Sequence, residues 1–206
     1  EAITSADILV ICTPTLVAAD VLAEILPRTQ AMASPPVITD AASVKGSLRD
    51  AALKICGEFP AYLVLGHPIA GSERSGVEAA RADLYRNHRV IITPLEQNAS
   101  AAVTQVQDMW RATGAEVVEM TVDRHDAVLA ATSHLPHLLA YALVDALAQS
   151  PESDEIFRCA AGGFRDFTRI ASSDPVMWRG IAIAPKSARV ESIDLFREHL
   201  GQVRPA

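Results

Sequence analysis

His67 is the residue of this sequence whose type and setting most clearly predict chemistry. It follows an apolar run at 61–65 and is flanked by Gly66 and Pro68. The run predicts a buried strand that delivers the imidazole to its carboxyl end, where ligands bind in α/β sheets. Imidazole changes its charge near neutral pH and can act as a general base. A lone histidine here can also merely cap a strand, so its role depends on the rest of the chain.

Ser43 is the second candidate, because it lies on a loop that should end at the same edge of the sheet. The loop follows a short predicted strand at 37–39, and successive parallel strands place such loops side by side. A serine hydroxyl bonded to His67 would fix the tautomer of a general base. Nucleophilic Ser–His catalysis is the competing interpretation, but Ser43 does not lie in a G-x-S-x-G elbow.

Two further histidines, His134 and His137, lie three residues apart in a predicted helix and could share one face. Such a pair could bind a metal ion. The H-E-x-x-H pattern is absent and no acidic residue lies between them, so we predict no metal site. A packing or capping role for one of the two is the alternative.

Arg169 is the candidate for binding an anionic ligand. A Gly-Gly pair beginning at Gly162 allows close backbone approach, and Arg165 and Arg169 follow it. Arg165 is expected to pair with Asp166 or another carboxylate at the surface. Arginine binds carboxylates through two parallel hydrogen bonds, which makes Arg169 the better candidate for a substrate carboxylate. The alternative is a solvated arginine on a helix.

The elements that must position these side chains change character near Thr121. Before it, apolar runs alternate with helical periods joined by short connections, which predicts a parallel sheet with right-handed crossovers. The predicted strands are 8–12, 37–39, 61–67, 89–94 and 116–120, and the predicted helices are 16–30, 48–56, 77–85 and 99–113. After it, all periods are helical: 123–149 with a bend at Pro136, then 154–159, 167–171 and 175–200. The fold class is therefore α/β followed by all-α, with expected domains 1–121 and 122–206.

Composition excludes several classes of function. The chain has 206 residues, half of them hydrophobic, and a net charge of −7 with 18 scattered Lys and Arg, so no nucleic-acid partner is expected. The cysteines Cys12, Cys56 and Cys159 form no C-x-x-C pair, which argues against zinc or a disulfide framework and favours a reducing cytoplasm. No apolar run is expected to approach 18 residues, and hence no membrane partner is expected.

Several stretches together resemble the prephenate/arogenate dehydrogenase family of tyrosine biosynthesis. They occur in the family's order and span about two-thirds of the chain: 39–46, 66–76, 133–137, 162–171 and 174–178. The resemblance implies a Rossmann-like sheet followed by a helical dimerisation domain, and an NAD(P)-dependent oxidative decarboxylation of prephenate or arogenate. It also implies a homodimer, with tyrosine as a possible inhibitor.

The resemblance also implies roles for individual residues. His67 would accept the hydroxyl proton of the substrate, and Ser43 would hydrogen-bond His67 and approach the nicotinamide. Arg169 would bind a substrate carboxylate, and His137 would line the pocket. The remaining expected substrate contacts are Ser72, Glu73 and Gly162, and the expected cofactor contacts are Thr13, Pro14 and Ser43.

The chain departs from the family pattern in one respect: it contains no G-x-G-x-x-G motif. Family members carry that motif and an acidic ribose-binding residue at the start of the sheet. Since the first strand here resembles the family's fourth, we expect a fragment of the full enzyme that binds dinucleotide poorly. The alternatives are a non-catalytic dimerising or tyrosine-binding remnant, and a related hydroxy-acid dehydrogenase. The latter uses a catalytic lysine, for which the helical half offers no motif.

Overall fold

The structure, a computed structural model, describes residues 2–71, 76–183 and 187–203. The first part of the chain alternates strands and helices. In order they are α1 (Ala2–Ser5), β1 (Ile8–Ile11), α2 (Thr15–Gln30), β2 (Val37–Asp40), α3 (Lys45–Cys56), β3 (Leu63–Val64), β4 (Gly66–Pro68), a 3-10 turn (Val77–Ala79), β5 (Arg89–Ile92), α4 (Ser100–Ala112) and β6 (Glu116–Glu119).

The strands form two three-stranded groups, ordered β1-β2-β3 and β4-β5-β6. The first is parallel, with Ile38 facing Leu9 on one side and Leu63 on the other. β2 thus has a strand on each side. The apolar side chains of this group pack against α2 and α3 around the fully buried Leu22 and Leu48. The carboxyl ends of β1 and β2 therefore lie at one edge, as the alternating pattern predicted.

One strand prediction was wrong: the run 61–67 is not a single strand. It divides at Leu65 into β3, which pairs with β2, and β4, which pairs antiparallel with β5 so that His67 faces Ile91. In the described residues between β4 and β5, the helix predicted at 77–85 is instead a 3-10 turn followed by turns. Val77 at its start is 88% exposed, while Tyr85 at its end packs partly buried against Trp110.

The second part of the chain is helical. Its elements are α5 (Val122–Leu129), a π-helical turn (Ala130–His134), α6 (Leu135–Ala148), α7 (Ser153–Arg158), α8 (Gly162–Thr168), a 3-10 turn (Arg169–Ser172), α9 (Pro175–Ile183) and α10 (Ser187–Gln202). The interruption expected at Pro136 is this π turn, which lies just before it. Proline cannot donate to the carbonyl four residues earlier and its ring crowds that carbonyl, so the local widening accommodates it.

The run Val122–Ala148 is long and apolar enough to cross a membrane by length and composition. The expectation that no run approaches 18 residues was therefore wrong, because 127–144 contain no Asp, Glu, Lys or Arg. Buried core helices of soluble proteins meet the same criterion, so one such run is weak evidence. Of its most apolar window, 22% is buried inside the chain.

Candidate active site

His67 lies at the centre of β4 and at the wall of a cavity of about 620 Å³. His67 is only 9% exposed. The cavity is also lined by residues of the helical half, among them Ser133, His137 and Trp178. The apolar run 61–65 thus positions an imidazole where the sheet meets the helices.

The nearest partner of His67 is His125, which lies at the start of α5. His67 Nδ1 and His125 Nε2 are 2.9 Å apart, and the two rings meet edge to face. His125 is fully buried, and its Nδ1 lies 2.8 Å from Asp126 Oδ1. The imidazole of β4 is therefore the first member of a chain of three side chains.

Asp126 of α5 is the last of these three side chains, and its carboxylate lies at the amino terminus of α3. The backbone N–H groups of Lys45 and Gly46 donate to its two carboxylate oxygens over 3.0 and 2.9 Å. Burial alone would raise the pKa of Asp126, but hydrogen bonds from His125 and from these two N–H groups outweigh it and hold the pKa below 3.8. Asp126 is thus a carboxylate at neutral pH.

A buried ion pair holds the loop after β2 against the start of β4. The ammonium of Lys45 bonds to the carboxylate of Asp40 and to the carbonyl of Gly66, and both charged side chains are essentially unexposed. The same carboxylate accepts the N–H of Ala42 over 2.8 Å and that of Gly66 over 3.2 Å. The pair thereby fixes the backbone immediately before His67.

His67 is neutral at pH 7. Burial, followed by the nearby charge of Lys45, lowers its pKa well below the ordinary 6.5. A neutral imidazole can accept a proton, which is what a general base requires.

His137 lines the same cavity and stacks on Trp178, with ring centroids 3.7 Å apart and planes at 17°. Its Nδ1 donates to the carbonyl of Ser133 over 2.9 Å, which leaves Nε2 as an acceptor in the neutral ring. Burial lowers the pKa of His137, and the bond to Ser133 opposes this only in part. Trp178 also meets His134 edge to face, so one indole orients both histidines of the 133–137 stretch.

The structure does not bring all the predicted substrate-binding residues together at the cavity. Arg169, at the end of α8, lines the cavity with His67 and His137. Gly162 is exposed at the first turn of α8 and is not among the lining residues. Ser72 and Glu73 lie outside the described residues.

The expected hydrogen bond between Ser43 and His67 is not formed, and His67 Nδ1 is instead bonded to His125. Ser43 instead lies beside the first loop, where its backbone N–H donates to Thr15 Oγ1 over 3.3 Å. Thr13 and Pro14 are on that same loop, between β1 and α2. The three expected cofactor contacts therefore share the carboxyl edge of β1 and β2.

Sequence reasoning missed His125 and Asp126, and it gave Trp178 no role. The segment 123–126 looks like the polar start of a solvated helix. The available signal was a histidine next to an acidic residue, a pairing that commonly orients imidazole. Within the described parts of the chain, no three His, Cys, Asp or Glu side chains converge as a metal site would need.

Residues 1–119 match the family model of the prephenate dehydrogenase nucleotide-binding domain, and residues 121–206 match that of the prephenate dehydrogenase dimerization domain. The chain belongs to the prephenate dehydrogenase family. The predicted family is thus confirmed.

Individual relatives agree with this membership. The chain is 33% identical to the cyclohexadienyl dehydrogenase of Zymomonas mobilis, over all of this chain and 69% of that protein. It is 38% identical to the prephenate dehydrogenase of Bacillus subtilis, over 82% of this chain and 45% of that protein. The predicted dehydrogenase function is supported, although the chain spans only part of each relative's length.

Solved structures confirm the fold class. The prephenate dehydrogenase of Aquifex aeolicus, in complex with hydroxyphenyl propionate and NAD+, superposes with a TM-score of 0.85 at 36% identity, covering 96% of this chain and 67% of that one. The arogenate dehydrogenase of Synechocystis gives 0.77 at 27% identity, covering 96% and 70%. A Rossmann-like domain and a helical domain are common to the family, and NAD(P) is the cofactor class that the comparisons support.

Proposed function

We propose that the protein to which this chain belongs catalyses the NAD(P)-dependent oxidative decarboxylation of prephenate or arogenate. One observation carries the proposal: a neutral imidazole, His67, and a guanidinium, Arg169, line the same cavity. A base for a hydroxyl and a cation for a carboxylate are what an anionic cyclohexadienol needs. Membership of the family supplies the identity of the substrate.

His67 is proposed as the catalytic base. It takes the proton of the ring hydroxyl as the carbinol carbon is oxidised, and the ring carboxylate leaves as carbon dioxide while the ring becomes aromatic. Arg169 holds a carboxylate of the substrate, and His137 presents its Nε2 acceptor to a substrate donor. Ser72, Glu73 and Gly162 are further proposed substrate contacts that rest on the family resemblance, although Gly162 does not line the cavity.

The residues at the edge of β1 and β2 fit one side of a dinucleotide. Thr13 Oγ1 is buried and has no hydrogen-bond partner among the described residues, so a polar group of a ligand could satisfy it. With Pro14 and Ser43 it would hold the cofactor there; when bound, the dinucleotide supplies the hydride acceptor. The glycine-rich phosphate loop is not part of this sequence.

The proposed division of labour places the cofactor on 1–121 and the substrate and the dimer contact on 122–206. Apolar side chains of the helical half remain uncovered within this chain, including Val176 at 78% and Leu195 at 58% exposure. A second copy of the chain would cover such a surface, in keeping with the description of the matching family domain. The free thiols of Cys12, Cys56 and Cys159 suit a proposed cytoplasmic location.

The test is prephenate-dependent or arogenate-dependent reduction of NAD+ and NADP+ by the full-length gene product. His67→Asn should lower kcat by about a hundredfold or more, the usual contribution of a positioned base. His199→Asn is the matched control, since His199 is exposed on α10. A fully active His67→Asn variant would overturn the base assignment. Tyrosine binding by calorimetry, with no turnover of either substrate, would instead favour a regulatory remnant of the family.

A further inference from the structure

We infer that Asp126 is a positioning residue that, through His125, leaves the Nε2 lone pair of His67 free for the substrate. The inference rests on the proposed function, because it explains how His67 can be the base. It concerns the direction of every hydrogen bond in the chain His67–His125–Asp126.

The direction follows from the carboxylate end. An ionised carboxylate only accepts hydrogen bonds, so His125 Nδ1, 2.8 Å from Asp126 Oδ1, must carry the proton. In the arrangement that we infer, this is the only ring proton of His125, so its Nε2 is an acceptor. His67 Nδ1 lies 2.9 Å from that atom and therefore donates to it. In neutral His67 the remaining nitrogen, Nε2, is then the unprotonated one.

The opposite arrangement would disable the base. If His125 carried its proton on Nε2, His67 Nδ1 would have to accept, and its Nε2 would bear a hydrogen. Such a ring cannot take a proton from a hydroxyl. The carboxylate of Asp126 prevents this arrangement because it offers no donor to His125 Nδ1.

The anchorage of Asp126 makes its orientation specific. Its two oxygens accept the N–H groups of Lys45 and Gly46, the first two residues of the twelve-residue helix α3. Negative charge is favoured at that end of a helix. Because α3 and β4 belong to the α/β half and α5 to the helical half, the chain of bonds also ties the two halves together beside the cavity.

The charged and titratable groups around the hydrogen-bonded side chains of His67, His125 and Asp126 come from several elements. They are Lys45 of α3, paired with Asp40 of β2, then His134 of the π turn and Arg189 of α10. Among these and the three members of the chain, Asp126 is the residue that offers His125 a side-chain carboxylate. The tautomer of His67 is therefore set from the helical half.

The first experiment is nitrogen-15 NMR of the histidine rings in the 206-residue chain near pH 7.5, with assignments from His→Asn variants. We expect His67 and His125 both to be protonated on Nδ1. A wild-type His67 protonated on Nε2 overturns the inference, whatever any variant does.

The second experiment is Asp126→Ala. Asp126 Oδ1 accepts from both His125 Nδ1 and the Lys45 N–H, and alanine removes this acceptor, so both rings should shift towards the Nε2-protonated form. In the full-length gene product, kcat should fall about a hundredfold or more with KM changed less than about threefold. Asp123→Ala is the matched control on the same helix, because Asp123 is exposed and bonds to Arg49 at the surface.

The two proposals fail in different ways. An inactive His67→Asn variant beside an Asp126→Ala variant of wild-type kcat would sink the positioning role and leave the base in place. A fully active His67→Asn variant would remove the base assignment on which the inference rests, and a wild-type protein that oxidises neither prephenate nor arogenate would remove the proposed function itself. If Asp126→Ala does not fold, as judged by circular dichroism, the wild-type ring spectra still decide the inference.

Discussion

Gly46 and Asp126 approach so closely that position 46 has no room for a side chain. A Cβ built on Gly46 would stand 2.9 Å from Asp126 Oδ2, closer than real Cβ contacts occur. The same oxygen accepts the Gly46 N–H over 2.9 Å. The missing side chain at the start of α3 is thus what allows a carboxylate from α5 to reach the backbone.

Gly46→Ala should therefore harm the site although alanine favours helices. The methyl group would push the carboxylate off the α3 terminus and disturb His125. We expect kcat of the full-length protein to fall by about tenfold, which corresponds to roughly 1.4 kcal/mol. Helix propensity alone would raise stability by about 0.5–1 kcal/mol.

Gly201→Ala is the control, because Gly201 lies in α10 and no atom of the described residues stands within 4 Å of its would-be Cβ. It should gain stability in urea unfolding without any change in kcat. Equal behaviour of the two variants would contradict the steric account of Gly46.

Part of this arrangement could be predicted from sequence. The alternation of strands and helices correctly predicted that β1 and β2 are neighbouring parallel strands with Ser43 on the loop after β2. His67, however, lies within β4 of the second three-stranded group and not at the carboxyl end of the same parallel sheet. The direct partner of His67 could not be found this way, since His125 comes from the helical half, 58 residues later. Its contact depends on how the two halves pack, which no local period encodes.

Two backbone features could also not be predicted from the local sequence. The division at Leu65 changes the partner strand within a continuous apolar run, and residue types do not mark where such a run leaves one strand for another. The effect of Pro136 was foreseen as a bend, but whether the helix kinks or widens depends on tertiary packing. Both features bear on the cavity: β4 carries His67, and the π turn carries His134.

Removing one charge of the Asp40–Lys45 pair should destabilise the protein more than removing both. Asp40→Asn leaves the Lys45 ammonium buried without a counter-ion, so we expect a loss of about 3–5 kcal/mol in urea unfolding. The double variant Asp40→Asn, Lys45→Met should lose clearly less than the sum of the two single variants. Additive losses would mean that the two charges do not stabilise each other.

Trp178 should affect substrate binding as well as stability. Trp178→Ala removes the surface on which His137 stacks, so the ring can tilt and KM for the substrate should rise about tenfold, with a stability loss of about 3–5 kcal/mol. Trp178→Phe keeps an aromatic face and should be milder on both counts. Trp110→Ala is the comparison, since Trp110 is equally buried in the other core beside Tyr85. It should lower stability without raising KM; a similar KM for both alanine variants would count against the stacking role.

Buried histidines should make the protein acid-sensitive below pH 6.5. Burial, then the charge of Arg189, lowers the pKa of His134 from 6.5 to about 4. Between those two values the unfolded chain binds more protons than the native one, so the free energy of unfolding falls as the pH falls. His134 alone should account for roughly 3 kcal/mol of this loss, complete near pH 4. His67 contributes with the same sign, because its pKa is also depressed.

The measurement is urea unfolding of the 206-residue chain at several pH values between 7.5 and 4. His134→Phe keeps a ring beside Trp178 but cannot titrate, so its stability should fall by roughly 3 kcal/mol less than that of the wild type over this range. Parallel curves for His134→Phe and the wild type would mean that native His134 takes up a proton as readily as unfolded His134. Its Nδ1 and Nε2 atoms have no hydrogen-bond partners among the described residues, and in the protonated ring both would then be donors that need an acceptor.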